Sequence, residues 1–239
     1  MASIKEILSS TQHRQYPLPE KKWKYFQEWH NTVFFHWEIP VYFLEGYIPK
    51  GLKLDTFANM AWVSLVSFQV KSMRPRNLPA FPYISNFEEI NIRTYVTHNG
   101  IRGIYMFSIE TNKLAEVILA NLFIGLPYQK AEIKRNGDLI FSKNKKNSHH
   151  LDIKIGTTLP LGKKTELDFW LTERHSLYDI CNKALCRFDI HHKELEIKDL
   201  DVTIKEVWYN AGKYTLNTYP DKVQYAQRTE VVLWGKKKV

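Results

Sequence analysis

Segments rich in β-branched and aromatic residues, several alternating between apolar and polar side chains, follow one another along most of the chain. Alternation predicts half-buried strands, and short apolar runs predict strands buried on both faces. The run Phe34 to Trp37 is expected to lie in the first strand, and the apolar-rich stretch 60–70 is expected to be buried on both faces. Further strands are predicted at 90–96, 103–109, 131–134, 139–142, 178–181, 185–190, 195–207 and 223–234.

Two Asn-Gly pairs and several short helical patterns separate these segments. Asn99-Gly100 and Asn136-Gly137 predict hairpins with type I′ turns, because such turns need positive φ angles at both central residues. Helices are predicted around Ile7, after Pro19 with Trp23, Phe26 and Trp29 on one face, over 112–122 before Gly125 and Pro127, and after the N-cap Thr165.

Many hairpin-linked strands, few helices and no regular alternation of strands with helices predict a mainly β (α+β) fold. The residue pattern leaves an antiparallel barrel or a sandwich open, in either case with peripheral helices. A chain of 239 residues lies within the range that such folds occupy as one domain. We therefore expect a single domain over 1–239, with an N-terminal helical layer over 1–32 and the β core over 33–239.

Composition predicts a self-sufficient core and a reducing environment. Hydrophobic residues make up 44% of the chain and aromatic residues 14%, so the interior can pack without disulfides. Cys181 and Cys186 are the two cysteines and have no partners at zinc-finger spacing, which predicts reduced thiols. The chain shows no signal-peptide pattern and no apolar run of about eighteen residues. We expect a cytoplasmic protein that neither crosses nor binds membranes.

The net charge of +9 comes largely from lysines in predicted loops and in the C-terminal tail. Such a charge is more typical of a solvated surface than of a nucleic-acid site when no recognition motif accompanies it. Phosphate-binding, dinucleotide-binding, serine-hydrolase and zinc-protease motifs are also absent from the sequence. We expect no nucleic-acid partner, no cofactor and no metal, and we leave monomer or homo-oligomer open.

The most informative segment is the predicted strand around residues 88–96. Successive side chains of a strand point to opposite faces. One face here carries the polar residues Glu89, Asn91, Arg93 and Tyr95, and the other carries mainly apolar ones. Periodicity alone leaves two interpretations equally open, a polar face in water or a polar pocket inside a barrel.

Lysine and histidine supply further candidates. Lys130 follows Tyr128 by two residues and would be a Schiff-base nucleophile if it were desolvated, although a solvated Lys-Glu strand face is favoured from spacing. His191 and His192 end a predicted strand and point to opposite faces, so they need a third partner to bind a metal, and spacing nominates none. His36 lies in an aromatic run and is interpreted as a hydrogen-bonded core residue.

Several motifs together resemble the YqjF-like family of uncharacterised proteins, and the resemblance covers nearly the whole chain. The motifs are His13-Arg14-Gln15-Tyr16-Pro17-Leu18-Pro19, Trp29-His30, Phe35-His36-Trp37, Leu54-Asp55, Ala61-Trp62-Val63, Arg74-Pro75-Arg76, Glu89-x-Asn91-x-Arg93-Thr94-Tyr95-Val96, Leu126-Pro127-Tyr128, Leu171-Thr172-Glu173-Arg174 and Asp189-Ile190-His191-His192.

The resemblance implies an acetoacetate decarboxylase-like fold, a closed antiparallel β-barrel with an internal cavity, into which the strand with Arg93 turns. In the decarboxylases a Gly-x-Pro turn leads into paired lysines, the first of which forms the Schiff base. Gly125-Leu126-Pro127 matches that turn, but Tyr128 and Gln129 follow it. The chain also departs from the YqjF-like pattern at Asn121 and at Lys193-Glu194-Leu195. Tyr128 and Gln129 in place of the paired lysines argue against lysine-based decarboxylation, and the other departures weaken the transfer of residue roles around Asn121 and His192.

Three functions stay open. The first is binding, with or without turnover, of a small anionic molecule that carries a carboxylate or carbonyl group. The second is a structural or interaction module with a buried polar cluster, and the third is a lyase-like Schiff-base enzyme. The candidate catalytic residues are Glu89, Arg93 and Lys130, and the candidate ligand-binding residues are Asn91, Arg93, Tyr95, Tyr128, His36 and His191.

Overall fold

A computed structural model describes residues 3–81, 85–113, 126 and 128–239, and these residues form mainly strands. The strands are Tyr25–Ile39 (β1), Lys53–Leu54 (β2), Ala61–Pro75 (β3), Phe87–His98 (β4), Ile101–Thr111 (β5), Tyr128–Lys130 (β6), Glu132–Asn136 (β7), Leu139–Asn144 (β8), His149–Pro160 (β9), Ser176–Cys181 (β10), Ala184–His192 (β11), Ile197–Ala211 (β12), Tyr214–Leu216 (β13), Lys222–Leu233 (β14) and Lys237–Lys238 (β15). The α-helices are Ile4–Ser9 (α1) and Glu166–Thr172 (α2), and short 3-10 turns span Val41–Phe43 and Glu45–Tyr47.

Hydrogen bonds join these strands into one sheet. Neighbours follow the order β15, β11, β10, β5, β4, β3, β1, β14, β12, β9, β8, β7, with β13 added to β12, β2 to β4 and β6 to β5. β11 also pairs with β14, where Ile190 lies opposite Leu233 and His192 lies opposite Val231. β5 pairs in parallel with β10 and with β6, whereas the other described strand pairs are antiparallel. The prediction of a mainly β fold is confirmed.

Both predicted hairpins form, but their turns differ. Asn99 and Gly100 have φ angles of 49° and 78°, as a type I′ turn requires. In the second hairpin Asn136 pairs with Leu139, so Asn136 belongs to β7 and the turn shifts by one residue. Of the residues in this described turn, only Gly137 has a positive φ. The type I′ prediction for the second turn is therefore wrong.

The helix predicted after Pro19 is wrong, because Tyr25–Ile39 is a strand. Trp23, Phe26 and Trp29 fit a helical spacing, but β1 is rich in aromatic and β-branched residues, which favour strands. β1 pairs with β3 on one side and with β14 on the other along nearly its whole length, so tertiary pairing overrides the local spacing. Asn31, with a φ of 50°, lies at a shift in the register between β1 and β3.

The predicted helices at Ile7 and after Thr165 are confirmed. Ile7 of α1 is fully buried against a cluster that includes Trp23 and Phe26. Thr165 caps α2 by accepting a hydrogen bond from the backbone of Asp168, whose side chain accepts one from the backbone of Thr165 in return. Most of the helix predicted over 112–122 lies outside the described residues, which end at 113 in this part of the chain. Within the described ranges, no helix is both long enough and apolar enough to cross a lipid bilayer.

β4 is buried on both faces and divides two parts of the interior. Ile90 and Ile92 belong to the largest hydrophobic cluster, on one face of the strand. Tyr95, on the other face, belongs to a second cluster with Trp170 and Leu177. The polar residues predicted on this second face are all buried, with exposed fractions of 4% for Glu89, 2% for Asn91, 8% for Arg93 and 0% for Tyr95. The interpretation with a polar face in water is therefore wrong.

We expect any larger residue at Gly103 to destabilise the contact between β5 and β10. A Cβ atom at this position would lie 2.6 Å from the carbonyl oxygen of Ser176 and 2.7 Å from the Tyr178 ring. Gly103→Ala should therefore lower the free energy of unfolding by roughly 1–3 kcal/mol through overpacking. Urea unfolding measures the loss. Gly46→Ala is the control, because a Cβ at Gly46 has open space around it, and an equal loss in both variants would contradict the prediction.

Candidate functional site

A pocket of about 70 Å³ opens on the polar face of β4. Glu89, Asn91 and Arg93 line it together with Tyr128 of β6, so the fold brings four of the predicted site residues into one space. Its other walls are mainly apolar, and the lining residues of the remaining strands and loops include Trp29, Phe34, Val66, Phe68, Ile104, Met106, Leu126, Thr172, Arg174, Leu177, Ile190, His192 and Leu195. An apolar pocket with a few converging polar groups is the usual form of a small-molecule site.

Glu89 is held from two sides inside this pocket. The Tyr128 hydroxyl donates a hydrogen bond of 2.7 Å to Glu89 Oε2, and Asn91 Nδ2 donates one of 3.0 Å to Glu89 Oε1. Burial raises the pKa of Glu89 to about 7, because the charged carboxylate loses its water. The hydrogen bonds from Tyr128 and Asn91 and the charge of Arg93 lower this pKa and only partly offset the effect of burial. A carboxyl group with this pKa can both give and take a proton near neutral pH.

Tyr128 remains a hydrogen-bond donor over the physiological pH range. Burial and the neighbouring Glu89 carboxylate raise the pKa of Tyr128 well above 10. The phenol therefore keeps its proton and fixes the orientation of Glu89.

Arg93 is the cationic group of the pocket. Its guanidinium carbon lies 5.5 Å from the centre of the Phe34 ring, which is a cation-π contact. Arg93 Nε is buried and has no hydrogen-bond partner in the described part of the chain. Asn91 Oδ1, two residues earlier on the same face, is likewise buried without a described partner. These atoms leave hydrogen-bonding capacity for a bound molecule.

Tyr95 and His36 lie outside the pocket lining, in a fully buried hydrogen-bonded chain. Tyr95 Oη contacts Ser64 Oγ at 2.6 Å, Ser64 Oγ contacts His36 Nδ1 at 2.7 Å, and His36 Nε2 contacts Gln224 Oε1 at 3.2 Å. Because Gln224 Oε1 can only accept, His36 Nε2 donates, and Nδ1 accepts from Ser64. Burial, followed by the charge of Arg93, lowers the pKa of His36 to about 3. His36 is therefore a neutral residue behind Arg93.

Lys130 lies away from the pocket. Its side chain is exposed, and it lines a surface depression with residues that include Glu132, Lys143 and Lys145. β6 is only three residues long, and Tyr128 at its start reaches the pocket while Lys130 lies at its outer end. The structure therefore places Lys130 and Arg93 in different spaces.

His191 and His192 face different surroundings, as expected for adjacent residues on a strand. His191 donates from Nε2 to the backbone oxygen of Ile7 in α1, at 2.8 Å, and lies outside the pocket lining. His192 lines the pocket instead. A ring nitrogen of His192 also lies within 4.8 Å of ring nitrogens of His13 and His175, which makes these three residues candidate metal ligands.

Arg174 lines the pocket but is not among the site residues predicted from the sequence. It follows α2, and its Nη1 donates a hydrogen bond of 2.5 Å to Asp55 Oδ2. Its guanidinium also stacks on the rings of Trp170 and Tyr95, at 4.3 and 4.8 Å from their centres. In the sequence only the family motif Leu171-Thr172-Glu173-Arg174 marked this residue. An arginine just after a short amphipathic helix is usually a solvated residue at the helix end.

A family model and a relative in sequence match nearly the whole chain. A model of the DUF2071 family, described as an uncharacterized conserved protein, matches residues 26–230. The chain is 34% identical over 236 residues to the uncharacterized protein YqjF of Bacillus subtilis (strain 168), and the match covers 95% of this chain and 97% of that protein. The resemblance to the YqjF-like family is thereby confirmed.

Solved structures with similar folds include acetoacetate decarboxylases and a biosynthetic enzyme. Acetoacetate decarboxylase from Legionella pneumophila matches with a TM-score of 0.60 and 15% identity, over 100% of this chain and 98% of that one. The enduracididine biosynthesis enzyme MppR complexed with pyruvate matches with a TM-score of 0.58 and 10% identity, over 94% and 93% of the two chains. At such identities the likeness shows the fold alone.

The family model spans most of the 239 residues, and the Bacillus relative aligns over almost the full length of both chains. This chain therefore belongs to the DUF2071 family of uncharacterized conserved proteins.

Proposed function

We propose that the chain binds a small carboxylate that also carries a carbonyl group, such as a 2-keto acid, in the pocket on β4. The observation that carries this proposal is the buried Arg93 guanidinium, which lines the pocket and has no ion-pair partner among the described residues. A guanidinium matches a carboxylate through two parallel hydrogen bonds, and a dry pocket strengthens that interaction.

The size of the pocket supports a small ligand. Its volume of about 70 Å³ is far below the roughly 300–1,000 Å³ of sites for drug-sized molecules, so it suits a ligand with only a few heavy atoms. A protein of similar fold, MppR, has been solved with pyruvate, which is a ligand of this size and charge.

Glu89 and Tyr128 would act on such a ligand by proton transfer and hydrogen bonding. With its pKa near 7, Glu89 suits the transfer of a proton to or from the carbon beside a carbonyl group. Tyr128 and Asn91 would hold Glu89 in place through the hydrogen bonds they already donate. The proposal gives Lys130 no role, because that residue lies outside the pocket lining.

We also propose that the sheet closes into a barrel around this site. The path from β11 through β10, β5, β4, β3 and β1 ends at β14, and β14 pairs with β11. A ring of strands paired in this way encloses an interior, which in small barrels is filled by side chains or holds one ligand.

Ligand binding should depend on Arg93. Arg93→Met keeps most of the side-chain length and removes the charge, so it should weaken binding of pyruvate or acetoacetate by roughly 30-fold or more. Calorimetric titration and thermal shift measure the loss. Methyl pyruvate, which lacks the carboxylate charge, should bind wild type weakly and Arg93→Met about equally.

Arg74→Met serves as the matched control. Arg74 lies on β3 over the Phe26 ring and outside the pocket lining, so its loss should leave ligand affinity unchanged. If no small carboxylate binds wild type, or if Arg93→Met binds as well as wild type, the proposed function is wrong. The buried polar cluster would then serve the fold alone.

A further inference from the structure

We propose that His13, His175 and His192 form a binding site for a divalent transition-metal ion such as Zn²⁺. One ring nitrogen of each residue lies within 4.8 Å of the corresponding nitrogens of the other two. Imidazole is a preferred ligand of such ions, and three histidines suffice for a zinc site with an open fourth position. The proposal concerns metal binding and does not depend on the pocket ligand.

Strand pairing places two of the three histidines side by side. The His175 carbonyl accepts a hydrogen bond of 2.9 Å from the backbone of Ile190, so residues 175 and 190 lie opposite each other at the junction of β10 and β11. His192 is two residues beyond Ile190 and therefore shares its face. The ring centres of His175 and His192 are 4.8 Å apart as a result.

His13 completes the cluster from the segment that follows α1. Its ring centre lies 5.1 Å from that of His175 and 6.1 Å from that of His192. The N-terminal segment and the β10–β11 hairpin thus converge on one point.

Backbone carbonyl groups fix the tautomers of two of the histidines. His13 Nε2 lies 2.8 Å from the backbone oxygen of His192, and His192 Nδ1 lies 2.7 Å from the backbone oxygen of Lys193. A carbonyl oxygen can only accept, so these nitrogens carry the protons and the other nitrogen of each neutral ring has a free lone pair. Metal-binding histidines typically donate their second ring nitrogen to a backbone carbonyl in this way.

The buried His175 ring has no hydrogen-bond partner in the described part of the chain, which points to a ligand at this position. Its side chain is 2% exposed, and neither of its ring nitrogens has a hydrogen-bond partner among the described residues. Buried polar atoms are normally satisfied, and a cation shared by three imidazoles would satisfy His175 together with the free lone pairs of His13 and His192. Around a tetrahedral zinc ion the ligand nitrogens lie roughly 3.4 Å apart, so the rings would need to approach by at most about 1.5 Å.

Charged groups of both signs lie around the cluster. Glu173 Oε2 lies 4.0 Å from His175 Nε2 and has no hydrogen-bond partner in the described ranges, while Lys164 holds the other oxygen at 2.7 Å. Arg14 is the nearest cation on the N-terminal segment, and its Nη1 donates to the Ile190 carbonyl oxygen and to His191 Nδ1. His191 uses both ring nitrogens in hydrogen bonds and is therefore not a ligand.

Equilibrium dialysis of the full chain tests the site. After treatment with a chelator and exchange into ZnCl₂, wild type should retain about one zinc ion per chain by elemental analysis, and Mg²⁺ should not compete, because it prefers oxygen ligands. His175→Gln and His13→Gln should each weaken zinc binding by roughly 100-fold or more. Zinc should also raise the unfolding temperature of wild type and not that of the variants.

His150→Gln is the matched control, because His150 is a partly buried histidine that pairs with Glu206 at 3.1 Å and lies outside the cluster. It should bind zinc as wild type does. If His175→Gln fails to fold, His13→Gln decides the test, since His13 lies in a partly exposed segment. No zinc retained by wild type, or equal binding by wild type and His13→Gln, would overturn the proposal.

Discussion

Asp55→Ala is expected to lower the free energy of unfolding by about 3–5 kcal/mol, because it leaves the buried Arg174 guanidinium without its carboxylate. The side chains of Asp55 and Arg174 are only 9% and 3% exposed, so water cannot replace the lost interaction. Arg102, whose Nε lies 3.4 Å from the same Asp55 oxygen, is 43% exposed and can turn to solvent. Urea unfolding of wild type and Asp55→Ala measures the loss.

A double variant separates the unpaired charge from the loss of packing. Asp55→Ala with Arg174→Met buries no unpaired charge and should be more stable than Asp55→Ala alone. The exposed pair of Glu132 and Lys134 provides the control, and Glu132→Ala should lower the free energy of unfolding far less than Asp55→Ala does. A loss of less than about 1 kcal/mol in Asp55→Ala, or strictly additive effects in the double variant, would contradict the prediction.

The same ion pair shows why part of the site could not be predicted from the sequence. Asp55 and Arg174 are 119 residues apart, and neither lies in a pattern that demands a partner. Their contact depends on where α2 ends relative to the segment after β2, which tertiary packing decides. The three clustered histidines are a similar case, since His13 and His175 reach His192 only through the folded chain.

Period-two alternation did predict which residues of β4 share a face. It could not tell which face is buried, and in the folded chain both are. For the same reason the sequence could not show whether His191 or His192 faces the pocket. A one-residue difference in register exchanges the two faces of a strand. Residue type and spacing thus identified the polar set of Glu89, Asn91 and Arg93, and the packing of neighbouring strands determined its surroundings.

Local residue spacing gave a wrong secondary-structure prediction for β1, a strand that is paired on both sides. The positions of Trp23, Phe26 and Trp29 fit one face of a helix, yet β1 lies between β3 and β14 and gains backbone hydrogen bonds from both. In contrast, the cap at Thr165 and the turn at Asn99-Gly100 were predictable, because the residues that determine them lie within a few positions of one another.

Glu89 should make the protein less stable as pH rises. Burial raises its pKa from 4.5 to about 7, so the folded state holds the proton more tightly than the unfolded chain does. The stabilising contribution is complete below about pH 4.5 and is lost as pH rises to about 7, which amounts to roughly 3 kcal/mol. Buried histidines act in the opposite direction, since burial lowers the pKa of His36 to about 3 and that of His191 to about 4.

Glu89→Gln isolates this contribution, because the histidines affect both proteins equally. Glutamine is neutral at every pH and keeps the shape of the side chain, and Asn91 can rotate its amide so that the free Oδ1 accepts from the new amide nitrogen. Glu89→Gln should match wild type at about pH 5 and exceed its free energy of unfolding by roughly 2–3 kcal/mol at about pH 8. Urea unfolding across this range provides the measurement, with Glu132→Gln at an exposed site as the control. A constant difference between Glu89→Gln and wild type would show that Glu89 does not titrate in this window, and would remove it as a proton-transfer group at neutral pH.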